Sequence, residues 1–577
     1  MSAGMQLPIR PESGGKHTDG FCTPKQDTRP QVMLVPPKRV LPIIFIPGIM
    51  GSNLRMNAER QQLLGKRNNI AWRIDSSTEV ARLIGLNAAD RQRQLDPSTT
   101  SVDSYDHGRS ETGNPNETTL DRNDAVDVDR LYQRLRNTDP GVLLIDDPSG
   151  ARNAKSRHQK ALERGWGEIL FDSYGDLLQT LEKQMNDAFS DERSPSGWWK
   201  DHVLNKSPNL WGAVRTNPQS PLTSDDLTKA LSKCWFPVHA MGYNWLESNE
   251  ITGVAIADRV RSLLARYVAD GYQCEKVVLI THSMGGLVVR SAMHPQIGNL
   301  QNEVLGVVHG VMPATGAGTT YKRMRCGFEG RSLRPSRNVL GRTGMEVTAV
   351  LGNAQGGMEL LPTQSYGNGW LQVHCNNRAV FTLPTKGDPY EEIYKLQGRW
   401  YQLLNPAWIN LAGLPRRGLP QSLQLLDSAK AFHIIINGYY HPNSFAIYGA
   451  DAQRMAWGNV IWRLNRQVDP QDVSGLLLRD DDATGELGLL LPLAMSRNSA
   501  QNRGRNSEAI SAVLGPPVDA GDETVPIRSS DDQVSKCKVV FRQAGYDHQA
   551  SYQDDRAISA SLFSIIRIIS SMKWSAK

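Results

Sequence analysis

One stretch constrains this chain more than any other: Lys276-Val-Val-Leu-Ile-Thr-His-Ser-Met-Gly-Gly-Leu-Val-Val-Arg290. It opens as a short apolar run rich in β-branched residues, Val277 to Ile280, which reads as a buried strand. Ser283 follows, then Gly285 and Gly286. Leu287, Val288, Ala292 and Met293 then recur at spacings that suit a buried helix. Strand, sharp turn with a serine, helix: such a turn lifts the serine Oγ clear of a sheet, the layout of a nucleophile elbow. A side chain two residues after the serine would crowd the turn, and Gly285 removes it. The helix that follows aims its N-terminus at the serine and favours negative charge developing there. Thr281 stands where the usual G-x-S-x-G pattern has its first glycine. Threonine is small and suits a strand end.

The flanking segments repeat the same alternation. Val40-Leu-Pro-Ile-Ile-Phe-Ile-Pro-Gly48 reads as a strand buried on both faces. Its end, Pro47-Gly-Ile-Met-Gly-Ser-Asn53, either is a plain turn or exposes a backbone N–H to a ligand. Pro237 to Trp245 reads as the next strand. Gly253 to Asp270 reads as a helix with Val254, Ile256, Val260, Leu263, Leu264 and Val268 on it. Val304 to Met312, Ser444 to Gly449 and Val539 to Phe541 supply further strands, and an amphipathic helix from Asp555 to Met572 closes the chain. Strands alternating with helices at this spacing predict right-handed parallel crossovers and an α/β, mainly parallel, doubly wound sheet.

Three long excursions interrupt it. The expected organisation is a polar N-terminal tail at 1–39 and a core built from 40–53, 236–319, 431–450 and 516–577. Insertions fall at 54–235, 320–430 and 451–515. The first does not look like core, although Arg164 to Glu182 reads as a helix with an apolar face; it is expected over the C-terminal edge of the sheet, where lids sit. The second opens with a basic segment, Lys322, Arg323, Arg325, Arg331, Arg334, Arg337 and Arg342 against the single acid Glu329. This is either a solvated loop or a contact for a phosphate or an anionic lipid. The third contains Arg479-Asp-Asp-Asp482, which lacks the ligand spacing of a calcium loop and reads as solvated.

Composition excludes several classes. A net charge of +6 over 577 residues does not indicate a nucleic-acid partner, while it suits an anionic membrane surface. Six scattered cysteines form no C-x-x-C pair, so no zinc or redox motif is expected, and no cofactor or metal. The thiols are expected to be free and the chain to fold in a reducing compartment. The N-terminus lacks the apolar core of a secretion signal and no apolar run reaches the length of a membrane span. Export would then need another route.

A serine nucleophile needs a base, and the base an orienting acid. Ser283, Asp522 and His548 follow the chain order serine, acid, histidine of α/β-hydrolases, with Asp522 in a tight loop and His548 beyond the last strand. Asp451, directly after a strand, competes as the acid. Asp547 is a further candidate partner for the histidine. His309, at a strand end, is a candidate pocket residue. His433 and His441 border apolar segments and read as structural.

Pro47-Gly-Ile-Met-Gly-Ser52, Thr281-His-Ser-Met-Gly285, Gly521-Asp-Glu-Thr-Val-Pro526 and Gly545-Tyr-Asp-His548 together resemble the lecithin:cholesterol acyltransferase-like and PGAP1-like esterases. With large insertions and no signal peptide, the chain looks most like the type VI secretion lipase effectors of the family-four phospholipase class from Pseudomonas. The resemblance implies an α/β-hydrolase fold with large lid or cap insertions. Ser283 would be the nucleophile, Asp522 the acid and His548 the base, with Ile49 and Met284 as oxyanion donors. Glu523 departs from a family that often has glycine there. The implied activity is serine-dependent hydrolysis of membrane phospholipid esters by a phospholipase A or lipase. The implied partners are phospholipid, a cognate immunity protein and a secretion spike or tube component. Made in the cytoplasm, the protein would act in the periplasm or at the membranes of a target cell. His309, Arg331, Arg334 and Arg337 are the candidate substrate contacts. The alternatives are an esterase on soluble or small lipid esters, and a non-catalytic binding protein on a hydrolase scaffold. A decayed scaffold would be expected to lose members of the triad, and all three are present.

Overall fold

A computed structural model describes residues 37–75, 77–104, 144, 155–190, 194–214, 219–329, 335–492 and 509–575, and ahead of these only Lys25 and four short strands. At its centre is a six-stranded sheet, every neighbouring pair parallel. Its strands are β1 (Ile43–Ile46), β2 (Val238–Ala240), β3 (Val277–His282), β4 (Val304–Gly310), β5 (Ser444–Gly449) and β6 (Val539–Gln543), in spatial order β2-β1-β3-β4-β5-β6. Every residue of β1 to β5 is buried, which is why these segments read as unbroken apolar runs.

Alternation along the strands sorts side chains to two faces. Ile44, Ile46 and Leu279 join one apolar cluster with helices α2 (Asn249–Ala269) and α3 (Gly285–Met293). Ile43, Phe45, Val278 and Ile280 join the other, with α1 (Phe171–Asn186) and α4 (Asp555–Ile569). Helices on both faces make the sheet doubly wound.

The position of α1 corrects the expectation that 54–235 lies outside the core. Tyr174, Leu177, Leu178, Leu181 and Met185 of α1 pack beneath the sheet, with the three leucines fully enclosed. Burying each such leucine contributes roughly 1.5–3 kcal/mol. The reason is topological: parallel neighbours β1 and β2 need a crossover, and α1 is that crossover. The apolar face expected over 164–182 is real but broken. A short 3-10 turn, Trp166–Glu168, precedes α1, and the chain is extended at Ile169 and Leu170 between them.

A second correction concerns the two later insertions. They are not separate, because together they build a mixed six-stranded sheet. Leu371–Cys375 runs antiparallel to Arg378–Leu383 and parallel to Val460–Leu464. Val460–Leu464 pairs in turn with Ile510–Leu514, which pairs with Glu486–Leu490, and Leu477–Asp481 forms the edge. Asp482 sits in the turn before Glu486, where its Oδ1 accepts from the N–H groups of Thr484, Gly485 and Glu486. The acidic run is therefore hairpin chemistry. Among the described residues, no group of three or more His, Cys, Asp or Glu could hold a metal ion. No helix among them is long and apolar enough to cross a membrane.

The first and second insertions touch above the sheet. Arg91, on the helix Ala88–Gln94, donates to the carbonyls of Val339 and Asn338. Gln92 Nε2 donates to Ile409 O at 2.6 Å, and Arg417 pairs with Asp96.

Candidate active site

β3 delivers the chain to Ser283, whose φ of 52° lies in the left-handed region that a non-glycine residue enters only under constraint. The constraint is visible. Ser283 N–H donates to Gly310 O at 2.8 Å, and α3 starts two residues later, with Gly286 N–H on Ser283 O at 2.9 Å. A Cβ at Gly285 would lie 2.4 Å from Pro47 O and 2.6 Å from Ile46 O, so no side chain fits there. Thr281 is tolerated because its backbone is what the turn uses: its carbonyl accepts from the Tyr552 hydroxyl at 2.9 Å.

The acid and the base meet directly. His548 Nδ1 and Asp522 Oδ2 are 2.8 Å apart. Asp522 Oδ1 accepts from Thr524 N–H at 3.1 Å and Val525 N–H at 2.6 Å, so the tight loop fixes the carboxylate before it meets the imidazole. Asp522 is 1% exposed. With Nδ1–H engaged by the carboxylate, Nε2 is the ring atom left to take a proton. The competing acid is placed elsewhere. Asp451 Oδ2 accepts from Gly545 N–H at 2.8 Å and its Oδ1 from Gln453 N–H at 2.7 Å, bonds that lower its pKa. It holds the loop before His548 and makes no bond to the ring. Asp547 caps its own turn through Ala550 N–H. Among the described residues the Ser283 hydroxyl makes no hydrogen bond, in keeping with catalytic contacts that tighten only around substrate.

The loop after β1 is pinned from three sides. The Tyr243 hydroxyl donates to Pro47 O at 3.0 Å, Trp72 Nε1 to Met50 O at 2.9 Å, and Gly51 N–H to Gly48 O at 3.0 Å. Gly48 abuts the elbow: a Cβ there would sit 2.9 Å from Ser283 Cβ. Neither Ile49 N–H nor Met284 N–H donates to any group among the described residues. Two unengaged donors on the two loops around a nucleophile are what an oxyanion hole requires.

No family model matches this chain, and no curated protein matches it. Among solved structures, the chain is similar to one described as the crystal structure of the Tle4–Tli4 complex. The match has 29% identity and a TM-score of 0.69, over 92% of this chain and 99% of that one. This likeness is consistent with a type VI secretion lipase effector. The likeness extends over nearly the whole chain, well beyond the four short motifs.

Of the candidate substrate contacts, His309 and Arg337 are among the described residues. His309 is fully enclosed on β4, its ring 5.9 Å from that of Tyr440, and neither ring nitrogen has a hydrogen-bond partner. Burial, helped by Arg290, lowers its pKa to about 3, so it is a neutral core histidine and lines no open pocket. Arg331 and Arg334 lie outside the described residues. Arg337 is half-buried on the helix Pro335–Leu340 and donates to Arg342 O at 3.3 Å.

The rest of the basic segment is largely internal. Lys322 and Arg323 share Glu329, Arg325 pairs with Asp481 at 2.9 Å, and Arg342 pairs with Glu346. Counting charge along the segment missed two of these acids, because Asp481 arrives from the distant hairpin and Glu346 lies just past the window. His433 and His441 are structural: His433 Nε2 meets Glu359 O at 2.7 Å, and His441 Nδ1 accepts from Asn443 N–H at 3.1 Å.

One side chain at the site escaped the sequence. His282, next to the nucleophile, turns its ring toward His548, with ring centroids 5.0 Å apart. A fully buried histidine at the end of an apolar strand was the available signal, since such a ring must find partners.

Proposed function

We propose that this effector is a serine phospholipase that hydrolyses membrane phospholipid esters through an acyl-enzyme. Ser283 Oγ attacks the ester carbonyl carbon while His548 Nε2 takes its proton, and Asp522 steadies the imidazolium. The oxyanion forms against the N–H groups of Ile49 and Met284 at the N-terminus of α3. Collapse expels the lysolipid alcohol, which takes the proton from His548. Water then repeats the sequence on the acyl-enzyme and frees the fatty acid.

The observation that carries this reading is the 2.8 Å Asp522–His548 bond on the loop beside a serine at φ 52°. The likeness to the Tle4–Tli4 complex supports the substrate class. We further propose that the protein is made in the cytoplasm, leaves by type VI secretion on a spike or tube component, and acts on the target cell's periplasmic membrane face. The solved neighbour is a complex of Tle4 with Tli4, which supports a cognate immunity partner here. Insertions joined above the sheet suit a lid that closes Ser283 off from soluble esters.

Directing the protein to the periplasm, with and without its neighbouring gene product, tests the biology. The wild type should be toxic alone, harmless with an immunity protein, and harmless as Ser283→Ala. Activity on short soluble esters with none on phospholipid vesicles would favour a small-ester esterase instead.

A further inference from the structure

We infer that His282 is a positioning residue for the catalytic base: its Nε2–H holds the His548 carbonyl and so fixes the distance between nucleophile and base. The inference rests on the hydrolase reading above for its kinetic consequence, and on geometry alone for the contact.

His282 Nε2 lies 2.9 Å from His548 O, and His282 Nδ1 lies 3.1 Å from the Tyr174 hydroxyl. A carbonyl oxygen only accepts, so Nε2 must carry the hydrogen. Nδ1 is then the bare nitrogen and accepts from Tyr174. The two contacts select one tautomer. The groups facing the ring are Tyr174, His548 and Tyr552, whose ring lies 6.1 Å away, and none is a carboxylate. Burial lowers the His282 pKa to about 3, with His548 adding to the effect, so the ring stays neutral and keeps its single donor.

His548 is consequently held at three points. Asp522 Oδ2 orients its ring, Asp522 O accepts its N–H at 2.8 Å, and His282 takes its carbonyl. Only the third tie runs to the strand that carries the nucleophile. Ahead of and at His548 the loop is anchored away from β3, at Asp522 and, through Gly545, at Asp451. Without the His282 donor, His548 itself keeps no described bond to β3, and the remaining tie from its loop to that strand lies four residues on, at the Tyr552 hydroxyl on Thr281 O. A displacement of about 1 Å between catalytic groups can cost on the order of 10² in rate.

His282→Leu should therefore lower kcat by roughly 10- to 100-fold with KM changed less than about twofold, the pattern of an interaction that matters in the transition state. His282→Gln, whose Nε2–H can reach the same carbonyl, should recover to within about fivefold of wild type. A folded Leu variant with wild-type kcat, or a Gln variant as slow as Leu, would overturn the proposal. An activity-independent arm uses histidine ¹⁵N spectra of Ser283→Ala. The expected spectrum shows His282 as the Nε2–H tautomer, with no titration between about pH 5 and 8. An Nδ1–H or titrating His282 would overturn the contact even if the Leu variant fails to fold. A wild type inert on every ester would instead sink the hydrolase reading and leave this arm to decide the contact.

Discussion

Asp522 grips His548 twice: its Oδ2 is 2.8 Å from the ring Nδ1, and its backbone carbonyl accepts the His548 N–H at 2.8 Å. One residue thus sets both the tautomer of the base and the path of the loop that carries it. Asp522→Asn should reduce kcat by about 10⁴, because the amide can present its N–H to Nδ1 and stabilise the wrong tautomer. Asp451→Asn should retain most activity, since Asp451 only braces Gly545. Parallel kinetics of the two variants check this, and an inactive Asp451→Asn beside an active Asp522→Asn would reverse the assignment.

Glu523 has a φ of 72°, which explains why a glycine suits the position. Left-handed backbone costs a non-glycine residue roughly 1–2 kcal/mol. The partly exposed Arg454–Glu523 pair returns at most about 1 kcal/mol. Glu523→Gly, whose freer unfolded chain offsets part of the relief, should leave stability unchanged or raise it by up to about 1 kcal/mol. Chemical denaturation measures it, and a clear loss would show that the ion pair dominates.

Arg325 and Asp481 are 1% and 8% exposed, so this pair is structural. Arg325→Ala leaves the buried Asp481 carboxylate without a cation, held among the described residues only by Ala483 N–H, and should cost roughly 3–5 kcal/mol. Vesicle binding by the folded fraction should not change. Weaker binding to anionic vesicles with no loss of stability would restore a membrane role to this arginine.

Glu359 is fully enclosed, and burial raises its pKa from 4.5 to about 8 against the hydrogen bonds from Asn249 N–H, Gln355 and Ser248. The folded state holds a proton that the unfolded state releases. Its contribution is therefore fully present below about pH 4.5 and is lost as pH rises toward 8. Melting temperatures of the wild type should fall more between pH 5 and pH 8 than those of Glu359→Gln. Parallel curves would contradict the protonated carboxyl.

The contact between insertions predicts a kinetic signature. Arg417→Ala removes the pair with Asp96 that joins the second insertion to the first. If these segments close the site, the ratio of rates on aggregated and dispersed lipid should narrow in the variant. An unchanged ratio would place the lid elsewhere.

Much of this was legible in the chain because local chemistry determined it. β1, β3 and β4 are buried on both faces, so their runs are unbroken, and the order of Ser283, Asp522 and His548 follows from the strands that carry them. What was not legible depends on distant partners. The role of α1 as a core crossover is hidden within a polar insertion. The pairing of Leu371–Cys375 with Val460–Leu464 joins segments separated by a core strand. Arg325 looks like free positive charge until Asp481 is folded against it. His282 looks like a spacer until its ring is seen on the His548 carbonyl.

The most direct test of the central claim is mass spectrometry of products from phospholipid vesicles treated with wild type and with Ser283→Ala. The account predicts lysophospholipid and free fatty acid in equal amounts from the wild type, an acyl adduct trapped on Ser283, and neither product from the variant. Hydrolysis by folded Ser283→Ala at the wild-type rate would contradict it.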